Sequence, residues 1–204
     1  GQAQNEKELL FVGQEDDGRD VLQVLEHYKK NWAKKIKLFQ IQKYASGVEI
    51  AVGAFFNGKD FIYPINVNFE HKRLFNGEIG PSTGEMGTLM YFSQPNAVFK
   101  NTLEKMRDKL AQTGYIGYVD INCIANSKGI YPLEFTTRFG YPHISIAMEG
   151  ITSEWGAFLH ALASQEPFDL KVKRGFQVGV VVAVPPFPFQ DLQSFKRYSE
   201  EAVI

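Results

Sequence analysis

The sequence predicts an α/β (α+β) fold, a mainly antiparallel sheet flanked by helices, and three observations predict it. Runs whose side chains alternate at period two recur along the chain. Strong turn signals, Asn57-Gly58 and the stretch Asn126-Ser127-Lys128-Gly129, join such runs in pairs. Segments with apolar residues at the helical period stand between and around them.

In chain order, DDGRDVLQVLEHYKKNW puts Val21, Leu22, Val24, Leu25, Tyr28 and Trp32 on one stripe, with Asp16 or Asp17 as cap, and predicts a helix over 18–33. KIKLFQIQKY and GVEIAVGAFF alternate and predict strands, the second turning at Asn57-Gly58 into DFIYPINVNFE. Residues 70–94 show no usable period and carry Gly77, Gly80, Gly84 and Gly87 beside Pro81, which predicts a long loop, functional or disordered. PNAVFKNTLEKMRDKLAQTG predicts a helix with Val98, Phe99, Leu103, Met106 and Leu110 on its stripe and Gly114 as its stop. GYVDINCIA and GIYPLEFTTRF then form two strands around the NSKG turn. A helix or helix pair over 144–163, a polar linker ASQEPFDLKVKRG and a strand in GFQVGVVVAVPPFPF with no visible partner follow. Residues 1–170 read as one domain and 171–204 as a linker opening a second.

Composition bounds the function. The 204 residues are 44% hydrophobic and 22% charged, ordinary for a globular chain, and the net charge of −1 gives no positive field for nucleic acid or an anionic membrane. A phosphate ligand must therefore be held locally. One cysteine, Cys123, excludes a disulfide framework within one chain and points to a reducing compartment. VGVVVAV is far shorter than the roughly 18 residues of a membrane span, and GQAQNEKELL has no signal-peptide core. The expectation is a soluble, cytoplasmic protein of unknown oligomeric state.

The strand YPLEFTTRFGYP raises a sharper point. Leu133, Phe135, Thr137 and Phe139 alternate with Glu134, Thr136 and Arg138, a greasy face against a polar one. With the hairpin loop centred near Ser127, Asp120 falls opposite Glu134, and Asn122 shares that face, while Val119, Ile121, Cys123, Leu133 and Phe135 turn to the core. Like charges directly opposed in a sheet repel, so a cation belongs between them. Hard oxygen donors with room for water suit Mg²⁺. The alternative is a solvated face on which Glu134 pairs with Arg138.

No GxxxxGK[ST] loop and no GxGxxG turn is present. Instead, QKYASGVEIAV at 42–52 resembles the hinge and strand of ATP-grasp enzymes, E-(E/K)-(F/W)-(L/I)-x-G-x-E-x-(S/T)-V. VDIN with LEFTTRFGYP resembles their paired metal-binding strands. Within that superfamily, EHKRLFNGEIGPSTGEMGT is similar to D-H-K-R-x3-G-D-x-G-P-N-T-G-G-M-G, and LEFTTRFGYP to L-E-x-N-x-R-F-G-D-P-E, both of the phosphoribosylamine-glycine ligase family of purine biosynthesis. The resemblance runs from about 36 to about 185.

The resemblance implies an ATP-dependent ligase joining a small-molecule carboxylate to an amine through an acyl phosphate, with ATP and Mg²⁺ (or Mn²⁺) as cofactors. By position it implies that Gln42, Lys43 and Ala45 contact adenine and the α-phosphate, and that Glu49 binds ribose. Asp120, Glu134, Thr136 and Asn122 hold metal. Lys72, Arg73 and Arg138 serve catalysis and substrate binding, and His71 with Gly80, Pro81, Ser82, Thr83, Gly84 and Gly87 closes over substrate. Thr136 stands where the family has asparagine, Gln42 for a glutamate, Ser82 for an asparagine, Glu85 for a glycine, and Tyr141 and His143 for an Asp and a Glu. Those departures keep a non-catalytic nucleotide-binding module, or an inactive fragment, as the alternative. The family also implies chain before residue 1, with a phosphate-binding lysine, and a domain after VVVAV, so the sequence reads as an excerpt. His27 and His160 lack ligand-spaced partners and read as structural.

Overall fold

The computed structural model describes residues 11–31, 39–183, 187–188 and 192–199. The chain divides into two units, residues 1–45 and 46–204. In the first, α1 (Arg19–Asn31) forms where the apolar stripe predicts a helix. The Asp17 carboxylate accepts the Arg19 N–H at 3.1 Å and Asp20 accepts the Gln14 N–H at 2.6 Å. Trp32 and the start of the predicted first strand lie outside the described residues. The rest of that run, 39–44, lies outside any strand, and Phe39, Ile41 and Tyr44 are exposed. Alternation makes a strand only where a neighbour takes up the backbone N–H and C=O groups.

The second unit is built on six strands: β1 (Val48–Asn57), β2 (Phe61–Phe75), β3 (Ile79–Ser93), β4 (Ile116–Asn126), β5 (Gly129–Thr136) and β6 (Phe176–Val180). Their order is β5-β4-β1-β2-β3-β6, with every neighbouring pair antiparallel. The predicted Asn57-Gly58 turn joins β1 to β2. The Asn57 side chain accepts the N–H groups of Lys59 and Asp60 at 3.1 and 2.9 Å, and Gly58 supplies the positive φ of +90°.

Two expectations are corrected here. Residues 70–94 are not a loop: they complete β2 and β3, a long hairpin turning at 76–78. Its alternation is hidden because Gly80, Gly84 and Gly87 show no side chain to either face, and because the register slips on both sides of Arg73. Gly87 also admits a close neighbour, since a Cβ there would lie 3.3 Å from the Gly179 carbonyl on β6. The strand that lacked a partner, β6, pairs with β3 from Tyr91↔Phe176 to Gly87↔Val180. The polar linker before it packs down as well, with Leu170 buried and Val172 bridged to Ile151.

One face of the sheet is covered by the segment predicted as a single helix. It is three short pieces, α2 (Ala97–Asn101), a 3-10 turn (Leu103–Met106) and α3 (Arg107–Gln112), interrupted at Thr102, whose backbone leaves the helical region at φ −126°, ψ −91°. Asn96 caps the first piece by accepting the Phe99 N–H at 2.9 Å. Val98, Phe99, Leu103 and Leu110 pack on Val52, Phe56, Val67, Val119 and Cys123. Burial and the neighbouring Asp120 charge push the Cys123 thiol up to about 11, which leaves it unreactive.

The opposite face is shared between two tenants. The predicted helix pair appears as α4 (His143–Gly150) and α5 (Trp155–Ala163), which cover Phe55, Ile62, Met90 and Tyr118. The remainder of that face, toward the Glu49 end of β1, carries polar side chains. A further helix, α6 (Leu192–Ser199), was not expected from the sequence.

Leu133 and Phe135 depart from their expected burial, at 45% and 40% exposure, because β5 is an edge strand that the covering helices do not reach. This separates two truncations of apolar side chains. Phe99→Ala, at a fully buried ring, is expected to cost about 3–5 kcal/mol, and Leu133→Ala less than about 1 kcal/mol. Urea denaturation of the two variants checks this, and equal losses would contradict the packing described.

Candidate ATP and metal face

The polar face is set by register. In the ladder between β1 and β4, Ala51 faces Asn122, Gly53 faces Asp120 and Phe55 faces Tyr118, while Ile50, Val52 and Ala54 look the other way with Cys123, Ile121 and Val119. Glu49 therefore shares its face with Asp120 and Asn122, as the alternation predicted. Val48 is exposed at the strand's start.

The β4–β5 register differs from expectation by two residues. Asp120 faces Thr136 and Glu134 faces Asn122. A tight turn at Ser127-Lys128 shifts the pairing by one residue, with Asn126 accepting the Lys128 and Gly129 N–H groups at 2.8 and 3.2 Å. An extra residue, Leu133, bulges between Pro132 and Glu134 and shifts it by one more. A one-residue slip alone would send Glu134 to the core face; the second restores it. Asp120, Asn122, Glu134 and Thr136 thus lie together, with the two carboxylates diagonal rather than opposed. Glu134 and Arg138 do not form an ion pair: β5 ends at Thr136, and the Arg138 guanidinium donates to the Phe139 carbonyl at 2.9 Å. Phe139 likewise leaves the Leu133 face and stacks on Tyr118, centroids 4.3 Å apart.

Strand β2 adds a row of which the sequence analysis assigned only Lys72 to the site. Asn66, Asn68, Glu70 and Lys72 alternate with Ile65, Val67 and Phe69, a period-two signal present in INVNFEHK. Asn66 donates to Asn68 at 2.9 Å and Asn68 to Glu70 at 3.5 Å. Lys72 lies 3.3 Å from Glu70 and also donates to Glu49, and Asn122 reaches the same Glu49 carboxylate at 3.5 Å. Burial works against the Lys72 ammonium, but its hydrogen bond to Glu49 and the charges of Glu70 and Glu49 raise its pKa overall. Lys72 is thus held charged on the polar face.

Its neighbours in the HKR run go elsewhere. The His71 ring contacts Glu78 at 3.1 Å and the Phe75 carbonyl at 2.9 Å, and Arg73 donates to the Gly80 carbonyl at 3.0 Å. Gly80, Pro81, Ser82, Thr83, Gly84 and Gly87 lie on β3, with Ser82 opposite Arg73, Gly87 opposite His71 and the Thr83 hydroxyl donating to the Lys72 carbonyl at 2.9 Å. Gln42, Lys43 and Ala45 belong to the first unit.

Two buried carboxyls sit uneasily on this face. Asp120, 5% exposed, is pushed up to about 7 by burial; Tyr118 donates to it and counters the shift, and the charges of Glu70, Glu85 and Glu134 add to it. Glu85 is also pushed up to about 7, by burial and then by Glu70, although it accepts the Tyr141 backbone N–H and the Thr88 hydroxyl. His143, 2% exposed, is driven down to about 4 by burial and is neutral. Glu85, Tyr118 and His143 are further residues of the face that sequence reasoning did not place there.

Carboxylates outnumber cations here, and burial makes the imbalance costly, so the face is suited to a cationic ligand. Among the described residues no three His, Cys, Asp or Glu side chains close into a metal cage. Asp120 and Glu134 with the Asn122 amide and Thr136 hydroxyl form an open set of hard oxygen donors. That set fits Mg²⁺, which takes one or two carboxylates and completes its shell with water and phosphate oxygens.

Comparison with known proteins bears on the family and the fold. The profile of the phosphoribosylglycinamide synthetase ATP-grasp (A) domain matches residues 14–144. The phosphoribosylamine--glycine ligase of Listeria monocytogenes is 30% identical over 158 residues, 72% of this chain and 37% of the relative. That of Streptococcus pyogenes is 31% identical over 157 residues, 73% and 37%. The chain therefore spans little more than a third of the curated relatives it matches. In fold it is similar to the crystal structure of phosphoribosylamine--glycine ligase from Thermotoga maritima, with a TM-score of 0.52 and 24% identity over 82% of this chain and 45% of the other. The fold is thus shared with that structure, and the chain belongs to the phosphoribosylglycinamide synthetase family, whose ATP-grasp (A) domain it carries.

Proposed function

We propose that this chain supplies the ATP- and metal-binding face of a carboxylate–amine ligase resembling phosphoribosylamine-glycine ligase of purine biosynthesis. The observation that carries the reading is the gathering of Glu49, Asp120, Asn122, Glu134 and Thr136 on one sheet face, with Lys72 held charged among them. The reaction class is phosphoryl transfer from ATP to a carboxylate, giving ADP and an acyl phosphate. An amine then attacks the acyl carbon, and inorganic phosphate leaves as the amide forms.

In this reading Glu49 accepts hydrogen bonds from the ribose hydroxyls, and Gln42, Lys43 and Ala45 meet the adenine edge and α-phosphate. Asp120 and Glu134, helped by Asn122 and Thr136, hold Mg²⁺ (or Mn²⁺), which supplies charge stabilisation on the transferring phosphoryl group. Lys72 offers a point charge to phosphate, and Arg138 a planar fork suited to a carboxylate or phosphate. His71, Arg73 and the Gly80–Gly87 stretch form an arm that closes over substrate. The protein needs no covalent nucleophile.

Thr136 and Glu85, at positions where the family has asparagine and glycine, favour a second reading, a nucleotide-binding module without turnover. ADP release, screened across amino acids and small amines, separates the two, because only a ligase consumes ATP in a manner dependent on both co-substrates.

Calorimetric titration with ATP is expected to show binding strengthened by Mg²⁺, and Asp120→Asn or Glu134→Gln to lose most of that strengthening while metal-free binding stays. Binding indifferent to Mg²⁺ in the folded protein would overturn the assignment. The same Asp120 generates a stability prediction. Its folded pKa of about 7 lies above the ordinary 3.8, so its contribution to stability is present at low pH and lost as pH rises through about 7. Ligand-free Asp120→Asn is therefore expected to be more stable than the parent at about pH 8, by on the order of a few kcal/mol, and to keep less than half of that advantage near pH 5. Thermal denaturation at the two pH values checks it.

A further inference from the structure

The Tyr118 hydroxyl stands at the border between the polar face and the α4–α5 core, and it has three polar neighbours. Asp120 Oδ2 and Asn66 Oδ1 are each 3.0 Å away, and His143 Nε2 is 3.1 Å away. Space for it is made by Gly53, the residue directly across the ladder from Asp120. A Cβ at that position would lie 1.9 Å from the hydroxyl oxygen and 2.8 Å from Asn66 Oδ1.

Proton counting fixes the direction of these contacts. A phenol has one proton and its oxygen also accepts. Asn66 spends its amide N–H on Asn68, so it turns its oxygen to Tyr118. With Asp120 ionised, as a carboxylate that holds a cation is, two oxygen acceptors compete for one O–H, and the histidine nitrogen balances the set only as a donor. His143 in the Nε2–H tautomer donates to the tyrosine oxygen, which turns the phenolic proton toward the acceptors, of which the ionised Asp120 is the stronger. The imidazole is itself locked, 2% exposed at the start of α4 and packed against Tyr118 at 5.0 Å and Phe139 at 5.5 Å between ring centroids. Phe139 in turn stacks on Tyr118, so two neighbouring rings hold the phenol in place.

We propose that Tyr118 and His143 are positioning residues for Asp120: the imidazole aims the tyrosine hydroxyl, which holds carboxylate oxygen Oδ2 and so orients the group toward a divalent cation. The inference rests on the reading of Asp120 as a metal ligand. Neither residue touches the cation. Their role is the outer-shell support that orients a metal-binding carboxylate.

The test is Mn²⁺ binding to the ATP-loaded protein, read by water-proton relaxation, with Asp120→Asn as reference. Tyr118→Phe removes only the hydroxyl and is expected to weaken Mn²⁺ about 10–100-fold with metal-free ATP affinity unchanged. His143→Leu is expected to weaken Mn²⁺ as well, and His143→Gln, which keeps an N–H donor, to restore most of the affinity. Parent-like Mn²⁺ affinity in folded Tyr118→Phe, with Asp120→Asn weakened, overturns the positioning role and leaves the metal assignment standing. Unchanged affinity in Asp120→Asn overturns both. Nitrogen chemical shifts of His143 in the parent protein test the same claim without any variant: the Nε2–H form supports it, and the Nδ1–H form overturns it.

Discussion

A single extra residue decides whether this sheet has a binding face. The turn at Ser127-Lys128 sets β5 one step away from the pairing that would keep carboxylates together, and the Leu133 bulge corrects the step. Side chains on a strand alternate strictly, so without the bulge Glu134 and Thr136 would enter the layer of Val119 and Ile121, where an unpaired carboxylate is untenable. With it, Asp120, Asn122, Glu134 and Thr136 form one patch beside Glu49.

The rest of the unit serves that patch by contrast. One face of the sheet is committed to packing over its middle strands, through Phe56, Val67 and Val119 against Phe99 and Leu103, while side chains at its edges, Leu133 and Phe135 on β5 and Phe176, Val178 and Val180 on β6, stay exposed. The other is apolar only as far as Tyr118, where α4 and α5 stop covering it. Beyond that line polar groups are buried among themselves: Asn68 is 1% exposed and Asp120 5%. Their hydrogen bonds to one another make burial tolerable, while the surplus of negative charge does not cancel within the chain. A face of this kind is under tension until a cation arrives, which is how stability is given up locally for binding.

Much of this was legible in the sequence. The alternation of GYVDINCIA and GVEIAVGAFF already separated Asp120, Asn122 and Glu49 from the core, and the NG turn fixed the β1–β2 hairpin. Register was not legible, because a bulge leaves no compositional mark and the NSKG turn admits more than one pairing. The β2–β3 hairpin was hidden for a different reason: glycines erase alternation, so a strand rich in them imitates a loop. In the β2 row Lys72 stood out through the HKR run, while Asn66, Asn68 and Glu70 were readable only by period, since asparagines carry no charge to mark a site. His143 and Glu85 looked like departures from a family pattern; only the fold shows them buried, around Tyr118 and Thr88. The partner of β6 could not be inferred, since pairing between strands so distant in sequence leaves no local signal.

The central claim is that Asp120 and Glu134, diagonal across β4 and β5, act on one cation. A double-mutant cycle on Mg²⁺-dependent ATP affinity, using Asp120→Asn, Glu134→Gln and the pair, measures it directly. Two ligands of one ion are expected to give a double variant little worse than either single one, a coupling of at least about 1 kcal/mol. Losses that simply add would mean that the two carboxylates act independently, and the shared site would have to be abandoned.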